Sequence, residues 1–123
     1  MVDSYGWIEF FVLGTKHGKY AAYIEKANVR EYVTPSIVIY EVYRKLKSSA
    51  GEEKALEACA YIMSHTNVVS LTEKVALEAA DFSISFGMAM ADSIIAATAK
   101  ANNAKIITGD EHFRKLENVE LIK

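Results

Sequence analysis

Residues 90–110 of the chain have the sequence MADSIIAATAKANNAKIITGD. The first part is apolar on successive helical turns and predicts a buried helix over residues 93–101, opened by Asp92 and closed by two asparagines. The second part predicts a short buried strand over residues 105–108. A buried helix followed at once by a buried strand is typical of α/β domains, in which helices cover both faces of a parallel sheet.

The rest of the chain repeats this alternation of helices with short apolar strands. Helices are predicted over residues 5–13, 18–27, 35–48, 52–64, 73–86 and 111–116. Strands are predicted before residue 5 and over residues 32–34, 67–71 and 119–122. Because no internal repeat or linker interrupts the pattern, we expect a single α/β domain over residues 1–123.

Composition and charge exclude several classes of protein. Hydrophobic residues make up 51% of the 123 residues, charged residues 24%, and glycine and proline together only seven residues, which excludes disorder, collagen and a turn-rich β-sandwich. A net charge of −2 argues against binding nucleic acid through bulk positive charge. The single cysteine, Cys59, cannot form an internal disulfide and is expected to be a small buried side chain. With no predicted membrane span or signal segment, we expect a soluble cytoplasmic protein.

Two aspartates follow predicted strands. Asp3 comes after the first strand, and Asp110 comes two residues after the strand that ends at Thr108. In parallel α/β sheets, ligands bind beside the carboxyl ends of the strands. The sequence alone therefore predicts that these two carboxylates lie at a ligand-binding edge.

Two further acids lie within apolar segments. Glu41 is four residues after Ile37 and three after Val38, so it shares a helical face with apolar side chains. Asp92 is surrounded by alanine, methionine and isoleucine, which indicates burial. Several inward-facing carboxylates are tolerated when they bind a divalent cation, and Mg²⁺ or Mn²⁺ prefers such oxygen ligands.

Structural explanations for these acids remain open. Asp3, Asp92 and Asp110 each stand where a helix N-cap would stand. Glu41 is four residues before Lys45 and could form a surface ion pair with it.

Four segments, in this order, resemble the PIN-domain ribonucleases, and more closely the small VapC-type toxins of toxin–antitoxin pairs. These segments are Val2-Asp3-Ser4, Ile39-Tyr40-Glu41-Val42, residues 90–99 and Ile106-Ile107-Thr108-Gly109-Asp110-Glu111-His112-Phe113. The resemblance covers essentially the whole chain. It implies a three-layer α/β/α sandwich with a short parallel sheet, in which Asp3, Glu41, Asp92 and Asp110 gather around one or two Mg²⁺ or Mn²⁺ ions.

The resemblance implies an endoribonuclease in which metal-activated water cleaves RNA phosphodiesters. Asp3, Glu41, Asp92 and Asp110 are then both the metal ligands and the catalytic residues. The hydroxyls of Ser4 and Thr108 are expected to orient these acids. The family often has a further acid just before the phenylalanine of the last motif, whereas this chain has His112 there, beside Glu111.

Basic residues flank the predicted site and are candidates for binding substrate. Arg44 and Lys45 follow Glu41 on the same predicted helix, Arg114 and Lys115 follow Asp110, and His112 could contact a phosphate. The alternative is that the four cations belong to ordinary solvated helix faces, with His112 a solvated residue at a helix start.

The resemblance also implies a homodimer and a cognate antitoxin whose C-terminal segment covers the acidic groove with a basic side chain. Seven aromatic residues in the first half exceed the expected needs of one small core and favour an interface: Trp7, Phe10, Phe11, Tyr20, Tyr23, Tyr40 and Tyr43. The alternative function is a non-catalytic PIN-like binding module that uses its acidic groove for a protein partner. A phosphoryl-accepting receiver domain is disfavoured because Asp3 is followed by serine instead of a second acid.

Overall fold

The computed structural model describes all residues, 1–123, as alternating helices and short strands. The helices are α1 (Ser4–Val12), α2 (His17–Ile24), α3 (Ser36–Ala50), α4 (Glu52–His65), α5 (Glu73–Phe86) and α6 (Met90–Ala101). The strands are β1 (Val33–Pro35), β2 (Asn67–Val69), β3 (Ile106–Thr108) and β4 (Val119–Leu121), with a 3₁₀ turn at Glu111–Phe113.

The strands are short and pair in parallel. β1 pairs with β2, with Thr34 opposite Val68, and β3 pairs with β4, with Ile107 opposite Glu120. Val2 adds one parallel bridge to Ile107, so the N-terminal segment lies beside β3. Helices pack against both strand pairs, and the expected fold class, α/β with short parallel strands between helices, is confirmed.

One main apolar core joins the two strand pairs. It contains 20 buried residues, among them Trp7 and Tyr20 from the first two helices, Ile62 from α4 and Ile106 from β3, all fully buried. A smaller cluster between α5 and α6 joins Ala79 with the fully buried Ala97 and two further apolar residues. Burial of this much apolar surface is the main force that holds α1, α3 and α6 around the strands.

Several sequence-based boundaries are corrected by the structure. α6 begins at Met90, so Asp92 lies in its first turn and is not its N-cap, which is Ala89. α2 spans residues 17–24 and not 18–27, and the segment predicted as a helix over residues 111–116 is a single 3₁₀ turn. The predicted first strand is reduced to the bridge at Val2, because Asp3 already caps α1.

The expected burial of Cys59 is confirmed, and its thiol is free. The expectation that the aromatic residues of the first half exceed the needs of the core is wrong for six of the seven. Trp7 and Tyr20 are fully buried, and four others pack partly buried against the core, which leaves Tyr40 as the exposed one, at 60%. None of the helices alone is long and apolar enough to cross a membrane. Helices α5 and α6 taken together are long and apolar enough, but they are bent by 118° at their junction.

Candidate active site

Asp3 is a buried carboxylate that also caps a helix. It follows the Val2 bridge, and its backbone N–H donates to the carbonyl oxygen of Ile107. Oδ1 accepts a 2.8 Å hydrogen bond from Gly6 N, which makes Asp3 the N-cap of α1, and Oδ2 accepts a 2.5 Å bond from the Thr108 hydroxyl. One carboxylate oxygen of Asp3 caps the helix and the other contacts Thr108. Asp3 can therefore cap α1 and also belong to the site.

The pKa of Asp3 is raised from 3.8 to about 6. Burial is the main cause, since it disfavours the charged carboxylate, and the nearby charges of Asp110 and Asp92 add to it. The hydrogen bonds from Thr108 and Gly6 act in the opposite direction. Asp3 is thus a carboxylate that its surroundings hold close to protonation at neutral pH.

Asp92 faces the same group of charges from the first turn of α6. Its pKa is raised by burial first, and then by the charges of Asp110 and Glu41, while His112 lowers it. Asp92 is thus a second carboxylate whose charged form is disfavoured by burial and by neighbouring acids.

Asp110 lies after β3 and caps the 3₁₀ turn. Its Oδ1 accepts a 2.8 Å hydrogen bond from His112 N and lies 3.1 Å from His112 Nδ1, and its own N–H donates to Thr108 Oγ1 at 3.0 Å. One ligand atom each from Asp92, Asp110 and His112 lie within 4.8 Å of one another. The Thr108 hydroxyl therefore links Asp110 to Asp3 through two consecutive hydrogen bonds.

Glu41 joins this group from the middle of α3. Ser4 Oγ donates a 2.8 Å hydrogen bond to Glu41 Oε1, which connects α3 to the start of α1 directly beside Asp3. Glu41 makes no ion pair with Lys45, so the surface-pair explanation of this residue is wrong.

Two adjoining depressions contain these groups. The acidic cavity, defined here by Asp3, Asp92 and Asp110, has a volume of about 330 Å³. A groove of about 660 Å³ between α1 and α3 contains Glu41. Ser4 and Tyr5 line both depressions, so the cavity of the three aspartates adjoins the groove that contains Glu41.

The PIN domain family model matches residues 1–119 of this chain. The chain belongs to the PIN domain family. No curated protein sequence matches it.

Solved structures with the same fold support this assignment. A toxin–antitoxin complex from Klebsiella pneumoniae contains a chain that superposes with a TM-score of 0.78 at 19% identity, covering 97% of this chain and 93% of the other. Mycobacterium tuberculosis VapC20, a Sarcin-Ricin loop cleaving toxin, superposes with a TM-score of 0.81 at 19% identity, covering 98% of this chain and 96% of VapC20. A chain of VapBC2 from Rickettsia felis, bound to a promoter DNA fragment, superposes with a TM-score of 0.74 at 17% identity, covering 99% of this chain and 96% of the other. At these identities the likeness establishes the fold.

The predicted substrate-binding cations of this PIN domain separate into two groups. Arg44 and Lys45 are exposed and line the groove that contains Glu41. Arg114 is paired with Glu111, with Nε 2.8 Å from Oε2. Lys115 lines a separate cavity beside α5 and not the acidic one, because the chain turns away after the 3₁₀ turn. The structure therefore brings only the α3 pair to the concave surface that contains the acids.

One cation in the acidic cavity was missed by the sequence reasoning. Lys16 precedes α2, and its side chain lines the cavity with Asp3, Asp92 and Asp110. In the sequence it lies in a polar loop between Gly14 and Gly18 with no acidic residue nearby, so no local signal marks it. Tyr5, which lines the cavity from α1 two residues after Asp3, was also missed.

The donor set of this PIN domain fits a hard divalent cation. Four carboxylates supply the oxygen ligands that Mg²⁺ and Mn²⁺ prefer, and the charges of neighbouring acids add to the effect of burial in raising the pKa values of Asp3 and Asp92, so a cation would relieve their repulsion. His112 offers a nitrogen at the exposed rim, where 81% of its side chain is accessible. The residue types and their crowding are thus those of a carboxylate metal centre.

Proposed function

We propose that this PIN domain is a metal-dependent endoribonuclease of the cytoplasm and the toxin of a toxin–antitoxin pair. Asp3, Glu41, Asp92 and Asp110 are its metal-binding and catalytic residues. The observation that carries the proposal is that Asp3, Asp92 and Asp110 line one cavity and that Glu41 lines the groove adjoining it. The toxin structures that share the fold support the assignment to a toxin.

A Mg²⁺ or Mn²⁺ ion bound by these acids would activate water and neutralise charge on the phosphate oxygens. The chain's own residues preorganise the ligands. Thr108 and Gly6 fix the two oxygens of Asp3, and Ser4 fixes one oxygen of Glu41. His112 N holds Asp110. Because these hydrogen bonds are already formed, little reorganisation is needed when the cation binds.

Single-stranded RNA is the proposed substrate. The groove that contains Glu41 also presents Arg44 and Lys45, whose charges can bind phosphates of the RNA strand. Tyr5 and Tyr40, exposed at 49% and 60%, offer aromatic rings on which unpaired bases can stack. The groove therefore combines the two kinds of group that single strands require.

The proposed protein partner is a cognate antitoxin. Its C-terminal segment would cover the acidic cavity and present a basic side chain to Asp3, Asp92 and Asp110. Support comes from the structures with the same fold that contain antitoxins, and from the net negative charge of the cavity. A bound cation of the partner would relieve the same repulsion that a metal ion relieves.

We also propose a homodimer. Leu77 and Ile84 are seven residues apart on one face of α5 and are 71% and 83% exposed, and Met90 at the start of α6 is 72% exposed. Apolar side chains exposed together in this way are typical of interfaces. A sedimentation profile that shows a dimer for the parent and a monomer for Ile84→Glu would support this interface, and a parent that stays monomeric at micromolar concentration would contradict it.

The test of the proposed function is RNA cleavage by the purified protein, free of antitoxin. Cleavage of a single-stranded RNA is expected in Mg²⁺ or Mn²⁺ and is expected to stop in excess chelator. Asp92→Asn should abolish it, whereas the control Glu57→Gln, which removes an exposed carboxylate from α4, should leave the rate unchanged. A parent protein that binds metal but never cleaves RNA would favour the alternative, a non-catalytic binding module.

A further inference from the structure

Lys16 is the only cationic side chain among the residues that line the acidic cavity. It shares that lining with three carboxylates, those of Asp3, Asp92 and Asp110. A Cβ atom at Gly109 would lie 3.5 Å from Lys16 Nζ, so the ammonium lies against the backbone between Thr108 and Asp110. It is thus beside the segment that carries two of the predicted site residues.

The backbone of Lys16 is fixed by contacts that reach back to α1. Glu9 Oε2 accepts a 2.9 Å hydrogen bond from Lys16 N, and the Lys16 carbonyl accepts from the N–H groups of Lys19 and Tyr20. The Glu9 carboxylate packs closely over Gly14, so a Cβ there would require that side chain to move. The loop between α1 and α2 therefore fixes the position of the Lys16 Cα atom, from which the side chain extends.

The ammonium of Lys16 has no partner within the protein. No carboxylate oxygen lies within ion-pairing distance of it, and it donates no hydrogen bond, although the residue is partly buried. The nearby carboxylates have partners of their own, since Asp3 accepts from Gly6 and Thr108, and Asp110 accepts from His112. The charge of Lys16 is consequently available to an anionic ligand.

We propose that Lys16 binds a phosphate of the RNA backbone inside the acidic cavity, as a substrate-contacting catalytic residue. This inference rests on the proposed function. The three carboxylates repel a phosphate, and one divalent ion neutralises only two of their three negative charges. An ammonium is a strong phosphate ligand, and one at this position adds a second cation from the protein itself. Arg44 and Lys45 contact the RNA strand farther along the α1–α3 groove, whereas Lys16 contacts the phosphate that lies beside the carboxylates.

The test compares two lysines of one segment. Lys16→Gln removes the cavity cation, and Lys19→Gln, on the exposed side of α2, removes an equal charge away from the cavity. Binding of a fluorescent single-stranded RNA is followed by anisotropy in Ca²⁺, over a range of salt concentrations. Lys16→Gln should weaken binding about tenfold and reduce the slope of log affinity against log salt by about 0.7, the value for one phosphate contact on a single strand. Lys19→Gln should change the affinity by less than about twofold, and Lys16→Arg should restore most of it.

Two further measurements separate this proposal from others. In Mg²⁺, Lys16→Gln should also raise the KM for RNA cleavage, while Mn²⁺ titration should give an affinity no weaker than that of the parent. RNA binding by a parent that never cleaves would contradict the proposed nuclease function but leave the phosphate-binding role of Lys16 in place. Parental RNA affinity and parental salt slope in Lys16→Gln, or no RNA binding by the parent at all, would overturn it.

Discussion

The hydroxyl of Thr108 donates a 2.5 Å hydrogen bond to the buried carboxylate of Asp3, across 105 positions of sequence. The same oxygen accepts a 3.0 Å bond from the N–H of Asp110. A single hydroxyl on the last residue of β3 therefore fixes the geometry of one acid and the backbone of another. This arrangement makes Thr108 the positioning residue with the most direct influence on the charge of the site.

Thr108→Val should lower RNA cleavage at neutral pH by about 10- to 100-fold, a usual effect for a group that orients a metal ligand. The hydrogen bond from Thr108 lowers the pKa of Asp3, so its loss should raise that pKa above about 6. The acidic limb of the pH–rate profile should therefore move to higher pH. Thr108→Ser keeps the hydroxyl and serves as the control, and an unmoved acidic limb in Thr108→Val would contradict the prediction.

Asp92→Asn should abolish cleavage and leave the metal-free protein at least as stable as the parent, by about 1 kcal/mol in its favour. The variant keeps the shape of the side chain while removing a charge that burial, Asp110 and Glu41 all disfavour. Thermal unfolding in chelator measures the stability, and Glu57→Gln, an exposed change in α4, is the control. A metal-free variant that unfolds well below the parent would contradict the predicted gain in stability.

The stability of the metal-free protein should fall as the pH rises from about 4 to 6. In this window the folded protein retains a proton on Asp3, whose pKa is raised to about 6, while the unfolded chain has lost it. The folded state therefore binds more protons, and rising pH favours unfolding, by about 3 kcal/mol at most for this one group. Above the window the effect is constant. Denaturant unfolding of the parent and of Asp3→Asn, in chelator, should give a difference that changes across this window and is flat above pH 7.

Two glycine-to-alanine changes should have opposite effects on stability. At Gly6 in α1, a Cβ atom would overlap the ring of Tyr20 and lie 2.8 Å from Val2 Cγ1, both of them core residues. Gly6→Ala should therefore destabilise the protein by about 1 to 3 kcal/mol. At Gly18 in α2 nothing lies within 4 Å of that position, and Gly18→Ala should stabilise by about 0.5 to 1 kcal/mol. Denaturant unfolding of the two variants checks both signs.

Much of this architecture could be predicted from local sequence. Each helix and strand leaves a periodic or apolar signal, and the predicted orienting hydroxyls, Ser4 and Thr108, are directly next to an acid or two residues from it. The boundary of α6 was misplaced because aspartate is a common N-cap, whereas here the helix begins two residues earlier, at Met90. Local propensity cannot distinguish a capping aspartate from one in the first turn.

Lys16 could not be predicted because its position depends on contacts between distant segments. The hydrogen bond from its backbone to Glu9 and the close approach of its ammonium to Gly109 arise from the packing of α1, α2 and β3. Lys115 shows the converse. It lies near Asp110 in sequence, but it lines a different cavity once the chain turns after Phe113.

The long sequence separation of Asp3 and Thr108 has a consequence for synthesis of the protein. A ribosome adds about 5 to 20 residues per second, so the aspartate emerges several seconds before its hydroxyl partner exists. During that interval the nascent chain lacks Thr108 and Asp110, and the four acids cannot assemble. The proposed ribonuclease would therefore be inactive toward the message from which it is being translated, because its site forms only after β3 has been made.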